Sequence, residues 1–284
     1  MPARVRTLAC NLGHSFDVAK QGYVSLLGGA GRTGPGDDHA QLERRERFLA
    51  AGHFDPLVAA LGAALAPTLG PAPSAADSVA DSVEHGRAPL LVDVGAGTGF
   101  YARSVLDAFP AARAVCTEIS AAAARRLASA HPRAASVVAD TWRGLPLADG
   151  CADAIQVIFA PRNPEEFARV LAPSGRLVVA WPGPEHLRPL REELGMLDIE
   201  RGKERRLTES MMGGEHFALD PAASTTVRAT MALDADTALD VALMGPSGAK
   251  VGREAVAGRL AELGRKEYRA DIDVNLSVFV RAPR

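Results

Sequence analysis

The chain predicts an α/β fold: a mostly parallel, doubly wound sheet carrying a small N-terminal appendage. Three observations lead there. From residue 88 onward, short apolar runs alternate with helix-length segments, the pattern of strands joined by crossover helices. The first run, Leu90-Leu91-Val92-Asp93-Val94, breaks directly into Gly95-Ala96-Gly97-Thr98-Gly99, a turn whose glycines permit positive φ and close backbone approach to a ligand. The second and third runs each close on an acid, Glu118 and Asp140, at the strand ends where open sheets of this kind bind ligands.

The elements follow in chain order. Residues 1–30 form the appendage, with Cys10, His14 and the alternating stretch Tyr23-Val24-Ser25-Leu26-Leu27. Residues 28–38 are Gly-rich and read as a flexible or disordered loop. Residues 41–65 read as a helix burying Leu42, Phe48, Leu49, Leu57, Val58 and Leu61. Residues 66–86, rich in Pro, Ala, Ser and Asp, read as a surface insertion or linker. Residues 31–87 are thus linker, helix and insertion, and 88–284 the main domain. Within it, residues 90–94, 114–117, 137–139, 154–159 and 177–181 read as strands, and 101–109, 121–130 and 165–171 as helices. Beyond Gly183 the pattern weakens to late strands at 225–233 and 273–280, and no internal repeat is visible.

Composition excludes some classes. The 284 residues are 47% hydrophobic and 23% charged, ordinary for a globular chain with a sizeable core. A net charge of −2 argues against a polycationic nucleic-acid binder. The basic clusters Arg44, Arg45, Arg47 and Arg201, Lys203, Arg205, Arg206 are interleaved with Glu and read as solvated helix faces. Cys10, Cys116 and Cys151 make no disulfide framework. No signal peptide or membrane-spanning apolar run is visible, so the expected place is the reducing cytoplasm, with no membrane partner.

The glycine turn is the strongest chemical signal. A lone G-x-G serves many nucleotide cofactors, but here the third glycine is Gly99 and Asp93 stands two positions before Gly95. That G-x-G-x-G form is typical of S-adenosylmethionine binding by Asp93, Gly95, Gly97, Thr98 and Gly99; the plainer alternative is a strand-to-helix turn. Glu118 is placed to accept two hydrogen bonds from a ribose diol, or to sit in the first turn of the next helix. Asp140 is placed to reach the exocyclic amine of adenine while the amide of Thr141 reads the ring and Trp142 or Leu145 packs on it; Asp140 also suits a helix N-cap.

Phe159-Ala160-Pro161-Arg162-Asn163-Pro164 ends the fourth strand of the alternation, where the methyl acceptor belongs. Arg162 and Asn163 are the candidate catalytic residues, holding an acceptor base or phosphate and orienting a base edge; a proline-bounded turn with a solvated arginine is the competing reading. By itself His186, after a Pro-Gly turn, reads as structural or solvated. Cys10-x-x-x-His14 is half of a zinc site without a second Cys/His pair at suitable spacing, so residue spacing favours a metal-free segment.

Longer motifs resemble those of the bacterial large-subunit ribosomal RNA guanine-N1 methyltransferases, some of whose actinobacterial members confer resistance to macrolides such as tylosin. The resemblance spans nearly the whole chain. It rests on Gly13-His14-Ser15-Phe16-Asp17-Val18-Ala19-Lys20-Gln21-Gly22-Tyr23-Val24 and Arg47-Phe48-Leu49-Ala50-Ala51-Gly52-His53-Phe54-Asp55-Pro56-Leu57. The glycine turn, the 159–164 segment, Pro182-Gly183-Pro184-Glu185-His186-Leu187 and Met244-Gly245-Pro246-Ser247 continue it. The resemblance implies a Rossmann-like class I methyltransferase fold and S-adenosylmethionine as cofactor, contacted by Phe54, Gly97, Thr98 and His186. It implies a large-subunit rRNA hairpin as partner, methylation at N1 of a guanine, and a homodimer. It also implies an N-terminal zinc module for RNA docking, with Cys10 and His14 matching two of its ligands. The module's leading Cys-x-x-Cys pair has no counterpart here, so residues 1–30 read as a degenerate form of it. The alternatives are a natural-product methyltransferase and a cofactor-binding protein that occupies RNA without modifying it.

Overall fold

A computed structural model describes residues 6–10, 12–27, 37–70, 87–198, 206, 209–211 and 215–282. Most of the Gly-rich loop, the insertion beyond Gly70 and the basic residues 201–205 lie outside the described residues. Strands β1 (Thr7–Ala9) and β2 (Ser15–Asp17) pair antiparallel as a small ribbon. The third N-terminal strand, β3 (Tyr23–Ser25), leaves the ribbon and joins the main sheet, parallel to β6 (Ala134–Val138). The last part of the appendage is therefore hydrogen-bonded into the sheet of the unit that begins at residue 88.

Two helices follow where one was expected. Asp38 and Gln41 form a reciprocal capping box, Gln41 N–H to Asp38 Oδ1 at 2.8 Å and Asp38 N–H to Gln41 Oε1 at 3.0 Å, which starts α1 (His39–Ala50). Gly52 then adopts φ 79° and ends it, and Pro56 in the first turn of α2 (Asp55–Leu69) suits a fresh start. The two axes meet at 82°. The low-complexity tract also begins later than its composition implies, because residues up to Leu69 belong to α2, Pro67 included. No single helix among the described residues is long and apolar enough to cross a membrane.

The main sheet has eight strands in the order β3-β6-β5-β4-β7-β8-β10-β9. Its parallel part comprises β3, β6, β5 (Arg113–Glu118), β4 (Leu90–Val94), β7 (Ala152–Ile158) and β8 (Leu171–Pro182). The long hairpin of β9 (Phe217–Leu233) and β10 (Tyr268–Arg281) is antiparallel and inserts β10 beside β8. The intervening helices are α3 (Phe100–Ala108), α4 (Ala121–Leu127), α5 (Pro164–Val170) and α6 (Arg188–Leu194). Helices α7 (Ala235–Leu243), α8 (Pro246–Val251) and α9 (Arg253–Leu263) precede β10.

Period-two alternation decides which core each side chain joins. Leu91 enters the core shared with α2, α3, α7 and α9, and Val92 and Val94 enter the opposite core with Phe167 of α5. Asp93 shares a face with Leu91, which puts a carboxylate at 2% exposure at the sheet's carboxyl edge. The strand order reverses between β5 and β7, on either side of β4. Chains leaving β4 in opposite directions open a crevice at that point.

Candidate active site

A cleft of about 860 Å³ occupies this crevice, within the range of sites that enclose a nucleoside-sized ligand. Its floor is the glycine turn. The N–H groups of Gly95 and Ala96 both donate to Thr117 O, at 2.9 and 3.0 Å, and fold the turn back over β5. Gly95 has φ 67°, and a Cβ there would stand 2.5 Å from Ala160 Cβ. Gly97 has φ 56° and faces open space, with Arg45 Nη1 nearest at 3.8 Å. Gly99 caps α3 at φ 85°, yet it does not line the cleft: a Cβ would meet Leu127 Cδ1 at 2.5 Å and Ala130 at 2.9 Å. Its place is helix packing beneath the turn.

The acids divide by environment. Asp93 Oδ2 and both amide atoms of its neighbour Gln156 on β7 have no hydrogen-bond partner among the described residues. Burial pushes the Asp93 carboxyl up to about 7, and the charge of Glu118 adds to that. Glu118 is already engaged: Oε2 accepts from Gly97 N–H at 2.8 Å, and Oε1 from the N–H groups of Ile119 and Ser120 at 2.8 and 2.9 Å. Its carboxylate thus ties β5 to the glycine turn and still lines the cleft. Asp140 caps the 3₁₀ turn Thr141–Arg143 through Trp142 N–H at 3.0 Å, and Asp140, Thr141 and Trp142 all reach the cleft. Leu145 does not; it is buried in the core beside Phe167.

Two aromatics and His186 make one wall. Phe54, at the start of α2, is buried and packs edge-on to Phe48, Phe159 and His186, with centroids 5.4, 6.2 and 6.1 Å away. The His186 imidazole stacks on Phe159 at 6.0 Å. Its Nδ1 accepts from Asp273 N–H at 3.3 Å, which leaves the ring proton on Nε2. Burial lowers its pKa to about 4, with Arg191 nearby adding to the effect. His186 is therefore a neutral donor and not a solvated histidine. Asp273, on β10, also holds the loop: its Oδ2 accepts from Glu185 N–H and its carbonyl from Gly183 N–H, at 3.1 and 2.7 Å. A Cβ at Gly183 would collide with Oδ2 at 2.2 Å.

The two acceptor-side candidates separate. Arg162 lines the cleft, half-buried, with its Nε unpartnered and no ion pair among the described residues. Asn163 does not line it. Its Nδ2 donates to Thr141 O at 2.9 Å and its Oδ1 accepts from Glu166 N–H at 3.3 Å, so the side chain serves as the α5 cap. That corrects the expectation of a catalytic Asn163.

Sequence reasoning missed Arg45 and Tyr101 as site residues and gave Phe159 no role of its own within the 159–164 segment; all three line the cleft. Tyr101 carries a phenol pushed up by burial. The basic cluster on α1 is only in part a solvated face: Arg45 pairs with Asp37 and donates to Met244 O at 2.8 Å, Arg44 engages Asp240 of α7, and the exposed Arg47 pairs with the same carboxylate. In the appendage, the β1–β2 turn brings Cys10 Sγ to 3.4 Å from His14 Nδ1. A closed zinc site takes four donors, and the described residues contain no cluster of three or more His, Cys, Asp or Glu suited to a metal. The pair alone does not make such a site.

Comparison with known proteins shows what the chain as a whole is similar to. A family model described as a methyltransferase domain matches residues 91–175. The 23S rRNA (guanine(748)-N(1))-methyltransferase of Streptomyces fradiae is 40% identical over 258 residues, covering 91% of this chain and 85% of its own. A Micromonospora griseorubida protein, provisionally named a 23S rRNA (guanine-N(1)-)-methyltransferase, is 42% identical over the same extent. Among solved structures, a chain from a Haloferax volcanii complex of a methyltransferase with the Trm112 activator aligns over 88% of this chain and 100% of its own, with 17% identity and a TM-score of 0.48.

Proposed function

We propose, from the premise that this chain belongs to the family of 23S rRNA guanine-N1 methyltransferases, that it methylates N1 of a guanine in a large-subunit rRNA hairpin using S-adenosylmethionine. The observation that carries the cofactor half is the convergence of one set of groups on one cleft: a buried Asp93 whose Oδ2 has no partner among the described residues, an open glycine turn, and the strand-end acids Glu118 and Asp140. The acceptor half rests on the relatives.

The residues present fit the cofactor. S-adenosylmethionine supplies an electrophilic methyl group on a sulfonium centre; as guanine N1 takes the methyl it gives up its proton to solvent, and S-adenosylhomocysteine leaves. Asp93, once ionised, offers a negative charge to a cationic group in the cleft. Glu118 uses three acceptor positions on backbone amides and keeps capacity for a ribose hydroxyl. Asp140 and the amide of Thr141 line the cleft and suit the exocyclic amine and ring of adenine, with Trp142, 67% exposed, beside them. Gly95, Gly97 and Thr98 give backbone access, and Gly99 supports them from below. Phe54 and the Nε2–H of His186 close the opposite wall, apolar apart from one donor. Methyl transfer from a sulfonium gains most from alignment and exclusion of water, and the buried Phe54 ring keeps water from that side.

Tritiated-methyl transfer onto unmodified 23S rRNA, followed by primer extension, tests the reading. The expected result is incorporation at one guanine with an extension stop one nucleotide before it. No incorporation at saturating cofactor would sink the RNA assignment, while incorporation into a small hydroxylated or amino substrate would redirect it.

A further inference from the structure

Two side chains on the loop after β7, Phe159 and Arg162, reach the cleft. Phe159 leaves the strand at φ 55°, a left-handed conformation that a bulky residue rarely adopts. Its N–H is held by Ala180 O at 3.0 Å, and its ring stays at the cleft with 42% exposure. His186 and Phe54 back the ring, so it is fixed and still presents open surface. Arg162, on the same loop, is half-buried, and burial pulls its guanidinium below the usual value with no carboxylate to offset the cost. Arg45 in the same cleft is, by contrast, tied to Asp37 and Met244 O. The Arg162 Nε is buried without an acceptor, which is costly, and points to a ligand that supplies acceptors to this group. The loop is also next to the glycine turn, because Ala160 packs where a Gly95 Cβ would be.

Resting on the RNA guanine reading above, we infer that the 159–162 loop is the pocket for the unstacked acceptor base, with Phe159 against the ring face and Arg162 donating to its O6 and N7. Arginine to O6 and N7 is the most frequent guanine-specific contact, and it leaves N1 free. Adenine presents an amine where guanine has O6 and would set donor against donor; pyrimidines have no N7. A phosphate also accepts from arginine, but the fixed aromatic surface beside Arg162 suits a base. A base reaches such a pocket only by leaving its stack.

The test uses the full-length protein and an in vitro transcript of the 23S rRNA segment that it methylates, made with guanosine or with 7-deazaguanosine, which keeps Watson–Crick pairing and lacks N7. Wild type should lose about tenfold or more in kcat/KM on the 7-deaza transcript. Arg162→Ala and Arg162→Lys should each be slow on both transcripts and nearly indifferent to the swap. Phe159→Ala should weaken RNA binding about tenfold in a filter assay run without cofactor. Calorimetry with S-adenosylhomocysteine should give wild-type affinity for the two Arg162 variants, which also shows that they fold, and circular dichroism should show a cooperative melt for Phe159→Ala. A wild type indifferent to 7-deazaguanosine overturns the proposal, as does an Arg162→Ala variant that stays sensitive. Lost S-adenosylhomocysteine binding in a folded Arg162 variant would assign the arginine to the cofactor instead. No transfer by wild type to the guanosine transcript would overturn the acceptor class itself, and this pocket with it.

Discussion

At the scale of single residues, Asp93 and His186 set opposite pH responses. The Asp93 carboxyl lies near 7, against an ordinary 3.8, because it is buried. A cationic ligand favours the ionised form, so below about pH 7 binding must expel a proton. S-adenosylmethionine affinity should therefore rise about tenfold per pH unit up to about 7 and flatten above it, as calorimetry across pH 5.5–8.5 would show. The contribution of Asp93 to stability has the reverse sign. Its folded value is raised, so that contribution is complete below about pH 4 and is lost as pH climbs to about 7. Asp93→Asn removes the charge and brings an amide next to the unpartnered Gln156 Oε1. At pH 8 the free variant should melt about 2–6 °C higher than wild type, with weaker cofactor binding that no longer varies with pH. A variant that melts lower would refute the buried-charge account. His186, lowered to about 4, stays neutral through this window and costs stability only as pH falls from about 6.5 to 4. Nitrogen NMR of its ring should show the Nε2–H tautomer and a midpoint near 4.

Among elements, the strand-to-helix turn has three glycines with different duties. Gly99→Ala drives a Cβ into Leu127 and Ala130 at a positive φ, so it should cost about 2–4 kcal/mol in denaturant unfolding. Its folded fraction should still bind cofactor near the wild-type constant. Gly97→Ala meets only Arg45 Nη1 at 3.8 Å and should cost about 1 kcal/mol, yet weaken binding at least about tenfold by filling the approach to the backbone. Reversal of that order in paired unfolding and calorimetry would mean that the turn is packing alone. These strands were readable because both faces are covered: β4, β7 and β8 are near-continuous apolar runs. Helix α6 carries Pro189 in its first turn and spans only Arg188–Leu194, and α8 spans Pro246–Val251, too short to show a periodicity. The bend at Gly52 was hidden because a glycine inside a helical pattern is tolerated. Glu118 and Asp140 were legible as strand ends, whereas Asn163 misled because an amide at a strand end and an amide at an N-cap look alike in sequence. The left-handed turn at Phe159 and the grip of Asp273 on the His186 loop depend on tertiary contacts with β8 and β10, which no local pattern encodes.

Across the whole molecule, the cleft is bounded by parts of the chain far apart in sequence, and α1 joins them. Arg47 makes a bidentate pair with Asp240 at 2.8 Å, and Arg45 reaches the Met244 carbonyl at the α7–α8 junction, which also lines the cleft. Helix α1 thereby spans from the bend carrying Phe54 to the segment before β10. Arg45 is about a quarter exposed, so its pairing with Asp37 counts for less than a fully buried one, and its bond to a backbone carbonyl adds about 1–2 kcal/mol. Arg45→Met keeps the aliphatic reach and removes both interactions. If α1 holds the cleft closed over its ligand, the substitution should speed S-adenosylhomocysteine release about three- to tenfold in stopped-flow displacement and leave association nearly unchanged. Hydrogen exchange should then show lost protection by that ligand in residues 39–54 and 240–245, with protection of β4 and β5 retained. Faster exchange throughout the sheet would mean instead that Arg45 supports the fold as a whole, and equal release rates would mean that α1 is a passive wall.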